Sequence, residues 1–232
     1  MSVEQVLTRS PVVEGEPLRL RMSYEEYLDW ADEGVLAEWV NGEVIVHMPP
    51  KDLHQALAGF LYHIIELFVA VFDLGMVRIA PFEVRLGPDG PSREPDVLFL
   101  AKTHLDRRTP ERVVGPPDLI IEVVSDDSVR RDRVTKFDEY EAAGVLEYWV
   151  IDNRPGRGRA WFYQLDPSGH YRSVLVGEDG VYHSAVLPGM GLRVDWLWQE
   201  QPDVLSALAE LVGPERFAQA LRVAVEREGE RG

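Results

Sequence analysis

One acidic residue inside an aliphatic run constrains this chain more than any other feature. Leu119, Ile120 and Ile121 lead directly into Glu122, and Val123 and Val124 follow at once. A run this short and this rich in β-branched residues reads as a strand buried on both faces. An unpaired carboxylate in such a strand costs several kcal/mol. Glu122 must therefore have a cation, carry a proton, or point out of the core at an opening. Ser125, Asp126, Asp127 and Ser128 then end the strand and offer N-cap side chains to a following helix. Asp132, Lys136 and Tyr140 recur in that helix at four-residue spacing and are expected on one face.

A second apolar strand, Val97-Leu98-Phe99-Leu100, begins just after Pro95-Asp96. If the two strands pair, Asp96 and Glu122 become neighbours, and two carboxylates in a low-dielectric site cannot both ionise without a cation. The chain has no cysteine, so any metal must use oxygen or histidine ligands. Mg²⁺ suits the pair, because it takes one or two carboxylates, keeps several waters and accepts phosphate oxygens. Mn²⁺ is the alternative, and the Val123 carbonyl would add an oxygen ligand. Such an ion can polarise a phosphodiester and acidify an attacking water.

Lysine occurs only at Lys51, Lys102 and Lys136, against twenty-one arginines. Lysine differs from arginine in that burial can lower its pKa, so it can exchange a proton or orient water. Lys136 is the candidate for that work. A structural pair with Glu122 or Asp132 accounts for it equally well. Dinucleotide, phosphate-loop, nucleophile-elbow and His-Glu-x-x-His motifs are all missing from the sequence. A two-carboxylate glycosidase fits the acids, but the nearby lysine and arginines favour a phosphate ester.

The formal charge of −16 argues against wholesale attraction to phosphate. Basic residues are nonetheless clustered: Arg107, Arg108 and Arg112; Arg130, Arg131, Arg133 and Lys136; then Arg154, Arg157 and Arg159 in a turn. Ion pairing with Asp126, Asp127 and Asp132 is the alternative use for the helical group. No uninterrupted apolar run approaches the roughly 20 residues of a spanning helix. The first twenty residues also lack a secretion signal's basic start and apolar centre, so a cytoplasmic protein without membrane association is expected.

Taken in order, residues 1–22 read as a polar extension. A Ser23/Glu26 capping box starts a short helix that Gly34 stops. Glu38–Val46 is a hairpin turned by Asn41-Gly42, closed by Pro49-Pro50. A core helix from about 53 to 73 follows, ended by Gly75 and carrying His54 in its first turn. Val77–Leu86 reads as one strand, and residues 101–116 as a basic, proline-punctuated loop or short helix. After Gly144 come a strand at 146–152 and hairpin strands near 160–165, 171–176 and 181–186. Two amphipathic helices, about 203–212 and 214–228, carry an apolar stripe (Leu205, Leu208, Leu211, Phe217, Leu221, Val225) that needs a partner. That partner is either the same chain or a second copy, and with Trp196–Trp198 the stripe makes a homodimer an expectation. The class is mixed α/β, with residues 23–198 as the domain and 199–232 as a helical tail.

The ordered set Glu38-Trp39-Val40-Asn41-Gly42-Glu43, Pro49-Pro50 with His54, Pro95-Asp96, Glu122-x-Val124, Arg131-Asp132-x-x-x-Lys136-x-x-x-Tyr140 and Gly144-Val145-x-Glu147-Tyr148-Trp149 resembles the PD-(D/E)XK nuclease superfamily. More specifically, it is similar to the Uma-two family of restriction-endonuclease-like proteins. The resemblance implies a mixed central sheet flanked by helices and Mg²⁺-dependent cleavage of DNA. It implies Asp96 and Glu122 as metal ligands, assisted by the Val123 carbonyl, with Lys136 as the catalytic lysine. The superfamily's usual lysine position falls at Val124, and the family variant moves that lysine onto the helix. Glu38 would line the cleft, Asp132 and Tyr140 would position the helix, and His54 is a further candidate. The alternative is a nuclease fold that binds DNA or protein without cleaving.

Overall fold

The computed structural model describes residues 18–31, 36–46, 51–125 and 131–229. Gly34, Pro49-Pro50, the caps at Asp126–Ser128 and most of the N-terminal extension lie outside them. Strand β1 (Leu18–Arg21) leads into helix α1 (Tyr24–Trp30), whose Ser23/Glu26 capping box is formed. β2 (Ala37–Val40) and β3 (Glu43–Val46) make the hairpin. Its turn residues Asn41 and Gly42 adopt φ of 49° and 84°, the left-handed pair a tight primed turn requires.

Helix α2 (Asp52–Phe72) presents Leu57, Phe60, Leu61, Ile64, Ile65 and Phe68 to the core. By length and composition alone it is apolar enough to cross a membrane. A core helix meets the same criterion, and Leu61, Ile64, Ile65 and Phe68 are fully buried. Asp73, in the left-handed conformation, ends the helix rather than Gly75. Gly75 is needed for a different reason: a Cβ there would lie 2.1 Å from the Leu100 carbonyl oxygen.

The expected single strand over Val77–Leu86 is two. β4 (Gly75–Ile79) and β5 (Glu83–Arg85) are separated at Ala80–Pro81, a cis peptide, and belong to different sheets. β6 (Ser92–Arg93), β7 (Val97–Ala101), a 3₁₀ helix (Lys102–Arg107), β8 (Arg112–Val114) and β9 (Leu119–Val123) follow. A π-helical turn (Arg131–Thr135) precedes α3 (Lys136–Ala143), so the helix carrying the lysine does not start as a regular α-helix. β10 (Glu147–Asp152), β11 (Arg159–Leu165), β12 (Tyr171–Val174), β13 (Val181–His183), β14 (Gly191–Arg193), α4 (Val204–Val212) and α5 (Pro214–Gly229) complete the chain.

The central sheet has the order β12-β11-β10-β9-β7-β4. It is mixed: β9 and β10 are parallel across the α3 connection, and the other neighbours are antiparallel. Alternation sends Val97, Phe99, Ile121, Val123, Trp149 and Ile151 to one face, where α2 and α4 cover them. Leu98, Ile120, Val124, Tyr148 and Val150 go to the other, packed against Tyr140 of α3 and Val84 and Val113 of the second sheet. That sheet runs β1-β3-β2-β6-β5-β8. The apolar stripe of the C-terminal helices finds its partner in the same chain, since Ala207, Leu208 and Val212 share the core cluster of α2. Trp196 is buried edge-on against Phe60. Leu205 and Leu221 stay exposed.

Candidate active site

β9 and β10 are parallel neighbours, so their carboxyl ends open at one end of the central sheet, where α/β proteins commonly place their sites. β7 runs the other way and brings its amino end there. Its register with β9 pairs Val97 with Ile121, so the next rung outward sets Asp96 opposite Glu122. Asp96 reaches past that rung, and its Oδ2 accepts the Val123 N–H at 2.6 Å. Its Oδ1 is 2.9 Å from His54 Nε2 in the first turn of α2. The Asp96 and His54 side chains keep 17% and 15% exposure, which makes this the solvent-facing part of the cluster.

Glu122 lies deeper, on the α3 side. Its Oε1 accepts hydrogen bonds from Lys136 Nζ at 2.9 Å and from the Tyr140 hydroxyl at 2.8 Å. The four-residue spacing of Lys136 and Tyr140 on α3 is what delivers both to one oxygen. Lys136 Nζ is also 2.9 Å from Glu38 Oε1 on β2. Glu38 in turn accepts from Arg93 at 2.9 Å, and Arg93 holds Glu139 of α3 with two further hydrogen bonds. Burial and the Glu122 charge push the Tyr140 hydroxyl well above its ordinary pKa, so it stays a proton donor toward Glu122.

Of the residues singled out in the sequence, Glu38, Glu122, Lys136 and Tyr140 therefore meet in one network, and Asp96, His54 and Val123 meet at its outer edge. The Asp132 side chain lies outside the described residues. Two participants escaped sequence reading, Arg93 and Glu94. Arg93 is only 1% exposed, and the nearby Glu38 and Glu139 carboxylates raise its pKa against the pull of burial. Glu94 Oε2 accepts the Ala37 N–H at 3.2 Å. Burial, with Glu38 beside it, pushes its pKa up to about 8. The only sequence signal was their place in the stretch Arg93-Glu94-Pro95-Asp96.

Among the described residues no group of three or more His, Asp or Glu side chains is arranged to hold a metal ion. Two carboxylates on facing positions at a strand end are nonetheless the kind of donors Mg²⁺ accepts while keeping its waters.

A family model described as "Putative restriction endonuclease" matches residues 24–195. The fold is also similar to the crystal structure of a "putative nuclease" from Anabaena variabilis. The two share 16% identity over 76% of this chain and 97% of that one, with a TM-score of 0.62. At that identity the likeness is one of fold, and it agrees with a restriction-endonuclease-like architecture. No curated protein matches. With the family model spanning the hairpin, both facing acids, α3 and the hairpin strands, the chain belongs to the Uma2 family.

Proposed function

We propose that this protein is a divalent-metal-dependent endonuclease that hydrolyses DNA phosphodiester bonds. The observation that carries the reading is the position of Lys136 Nζ, 2.9 Å from Glu122 and 2.9 Å from Glu38, on a network whose outer edge is Asp96. The family's description and the nuclease of like fold support it. Asp96 and Glu122, with the Val123 carbonyl, would hold Mg²⁺ or Mn²⁺. When bound, the ion supplies Lewis acidity and charge neutralisation at the phosphate. Lys136 orients the attacking water, and its two carboxylate partners fix the ammonium in place. His54 holds Asp96 by hydrogen bonding to Oδ1, as a positioning residue. Tyr140 does the same for Glu122. Arg93 balances the charge of Glu38, so that the network does not collapse into carboxylate repulsion.

The test is nicking of supercoiled plasmid with Mg²⁺. Asp96→Asn is expected to abolish it with the thermal unfolding midpoint little changed, because asparagine keeps an acceptor for the Val123 N–H. Nicking at the wild-type rate by that variant would remove Asp96 from the site.

One observation favours a second reading, a nuclease fold that binds without cleaving. Glu122, Lys136 and Tyr140 are 3%, 3% and 0% exposed, as a closed structural network would be. Metal binding without turnover on any DNA would support it. A cytoplasmic location is part of the same proposal. A homodimer, if formed, would use the outward-facing Leu205 and Leu221, and sedimentation of a Leu205→Glu/Leu221→Glu variant tests that.

A further inference from the structure

The rung that carries Glu122 continues across the sheet. Val150 pairs with Glu122 on one side and with Trp161 of β11 on the other. Directly paired residues share a face, so Glu122, Val150 and Trp161 form one row on the α3 side. Two strand spacings separate Trp161 from Glu122, about 10 Å. The next residue of β11 on that face is Arg159, which pairs with Asp152. From above, the guanidinium of Arg133 lies over the Trp161 ring, 4.2 Å from its centroid. Arg133 sits three residues before Lys136, so the turn that starts α3 serves both the buried network and this row.

The β10–β11 turn is fastened at the same end of the sheet. Asn153 Nδ2 donates to the Leu53 carbonyl at 3.0 Å, next to His54. Arg154 closes on Asp152 through two hydrogen bonds of 2.8 Å. Arg154 is thus committed to a carboxylate, whereas Arg133, Arg157 and Arg159 are exposed. Among the described residues these three have no carboxylate within ion-pair distance. A guanidinium stacked on an indole keeps all its N–H donors. In a chain of net charge −16, three exposed arginines, one on the turn that starts α3 and two at the β10–β11 turn, form a local exception that fits a polyphosphate.

We propose that Arg133, Arg157 and Arg159, with Trp161 fixing the first of them, grip the DNA phosphodiester backbone beside the site built on Glu122. This rests on the nuclease reading for what happens at Glu122, but the grip itself needs no chemistry. Trp161 is a positioning residue that holds Arg133 flat, while Arg157 and Arg159 contact phosphates from the anchored turn.

The experiment is fluorescence anisotropy of the full chain with a short fluorescein-labelled DNA duplex, without metal and across a salt series. Arg157→Gln/Arg159→Gln is compared with Arg19→Gln/Arg21→Gln, which removes the same charge from β1 of the other sheet. The first double variant is expected to weaken binding severalfold and to make the slope of log K against log salt shallower by about 2. The second should leave the slope unchanged. Trp161→Ala should weaken binding, and Trp161→Phe should restore most of it. Equal loss in both double variants, or no DNA binding by the wild-type chain, overturns the proposal. Binding that depends on this turn without Mg²⁺-dependent nicking sustains the grip and ends the nuclease reading. Nicking with unchanged KM in Arg157→Gln/Arg159→Gln sustains the nuclease reading and ends the grip.

Discussion

Glu122 and Glu147 are both buried acids on adjacent strands of one sheet, yet their surroundings differ in kind. Glu147 is 0% exposed and takes five hydrogen bonds from neutral donors. Its Oε1 accepts from Trp149 Nε1 at 2.7 Å and from the Tyr182 hydroxyl at 2.8 Å. Its Oε2 accepts from Ser184 Oγ and from the Ala185 and Val186 amides at 3.1, 2.7 and 3.2 Å. Those amides turn away from the ladder to reach it, and β13 stops at His183. Glu147 is a clamp that ties the C-terminal hairpin to the sheet. Glu122 instead meets a lysine and a tyrosine, within a network that continues through Glu38, Arg93 and Glu139. An acid among aliphatic residues is therefore not in itself a mark of chemistry. What distinguishes the two is whether neutral donors alone satisfy the acid or a lysine cation takes part.

Neutralising each acid in turn has opposite consequences. Glu122→Gln should abolish Mg²⁺-dependent nicking. Glu147→Gln should leave nicking intact at temperatures where the protein is folded, while costing about 3 kcal/mol of stability, because an amide NH₂ faces donors where an acceptor is needed. Urea unfolding and plasmid nicking measured together separate the two outcomes.

Lys136→Met comes next. It leaves Glu122 and Glu38 buried without their shared cation, so it should lower stability by about 3–5 kcal/mol as well as ending activity. Lys136→Ala is for the same reason not a clean test of catalysis, which the sequence alone did not reveal.

The charge network should also announce itself in pH dependence. The folded-state pKa of Glu94, about 8, lies above the ordinary 4.5. The folded protein thus retains a proton that the unfolded chain releases. This contribution to stability is complete below 4.5 and is lost as pH rises through about 8. Glu94→Gln keeps an acceptor for the Ala37 N–H and removes the titration. In metal-free buffer, its unfolding midpoint should gain on the wild type across that window.

The smallest effects come from a matched pair of tyrosines. Tyr140→Phe removes one hydroxyl from Glu122, and Tyr182→Phe removes one from Glu147. Each should cost about 1–2 kcal/mol, but only Tyr140→Phe should slow nicking.

Local chemistry made parts of this molecule legible in sequence. The capping box at Ser23, the Asn41-Gly42 turn and the apolar face of α2 each depend on residues close together in the chain. The break at Ala80–Pro81 was hidden because alternation continues across it, although β4 and β5 join different sheets. β6, with two residues, carries no periodicity to read, and so nothing in the sequence marks Arg93 as fully enclosed. Glu122 and Lys136 stood out by contrast, one as the acid in an aliphatic strand and the other as one of three lysines. Beside Glu122, nothing in the sequence sets Glu147 apart, since it too is an acid in a largely apolar strand. Its five partners come from its own strand and from residues 182–186, a spatial fact that no spacing in the sequence encodes.

Titration calorimetry of Mg²⁺ and Mn²⁺ into the wild type, Asp96→Asn and Glu147→Gln tests the account most directly. The prediction is a binding isotherm for the wild type and Glu147→Gln that disappears in Asp96→Asn. Equal isotherms in all three proteins, or none in the wild type at millimolar ion, would contradict it.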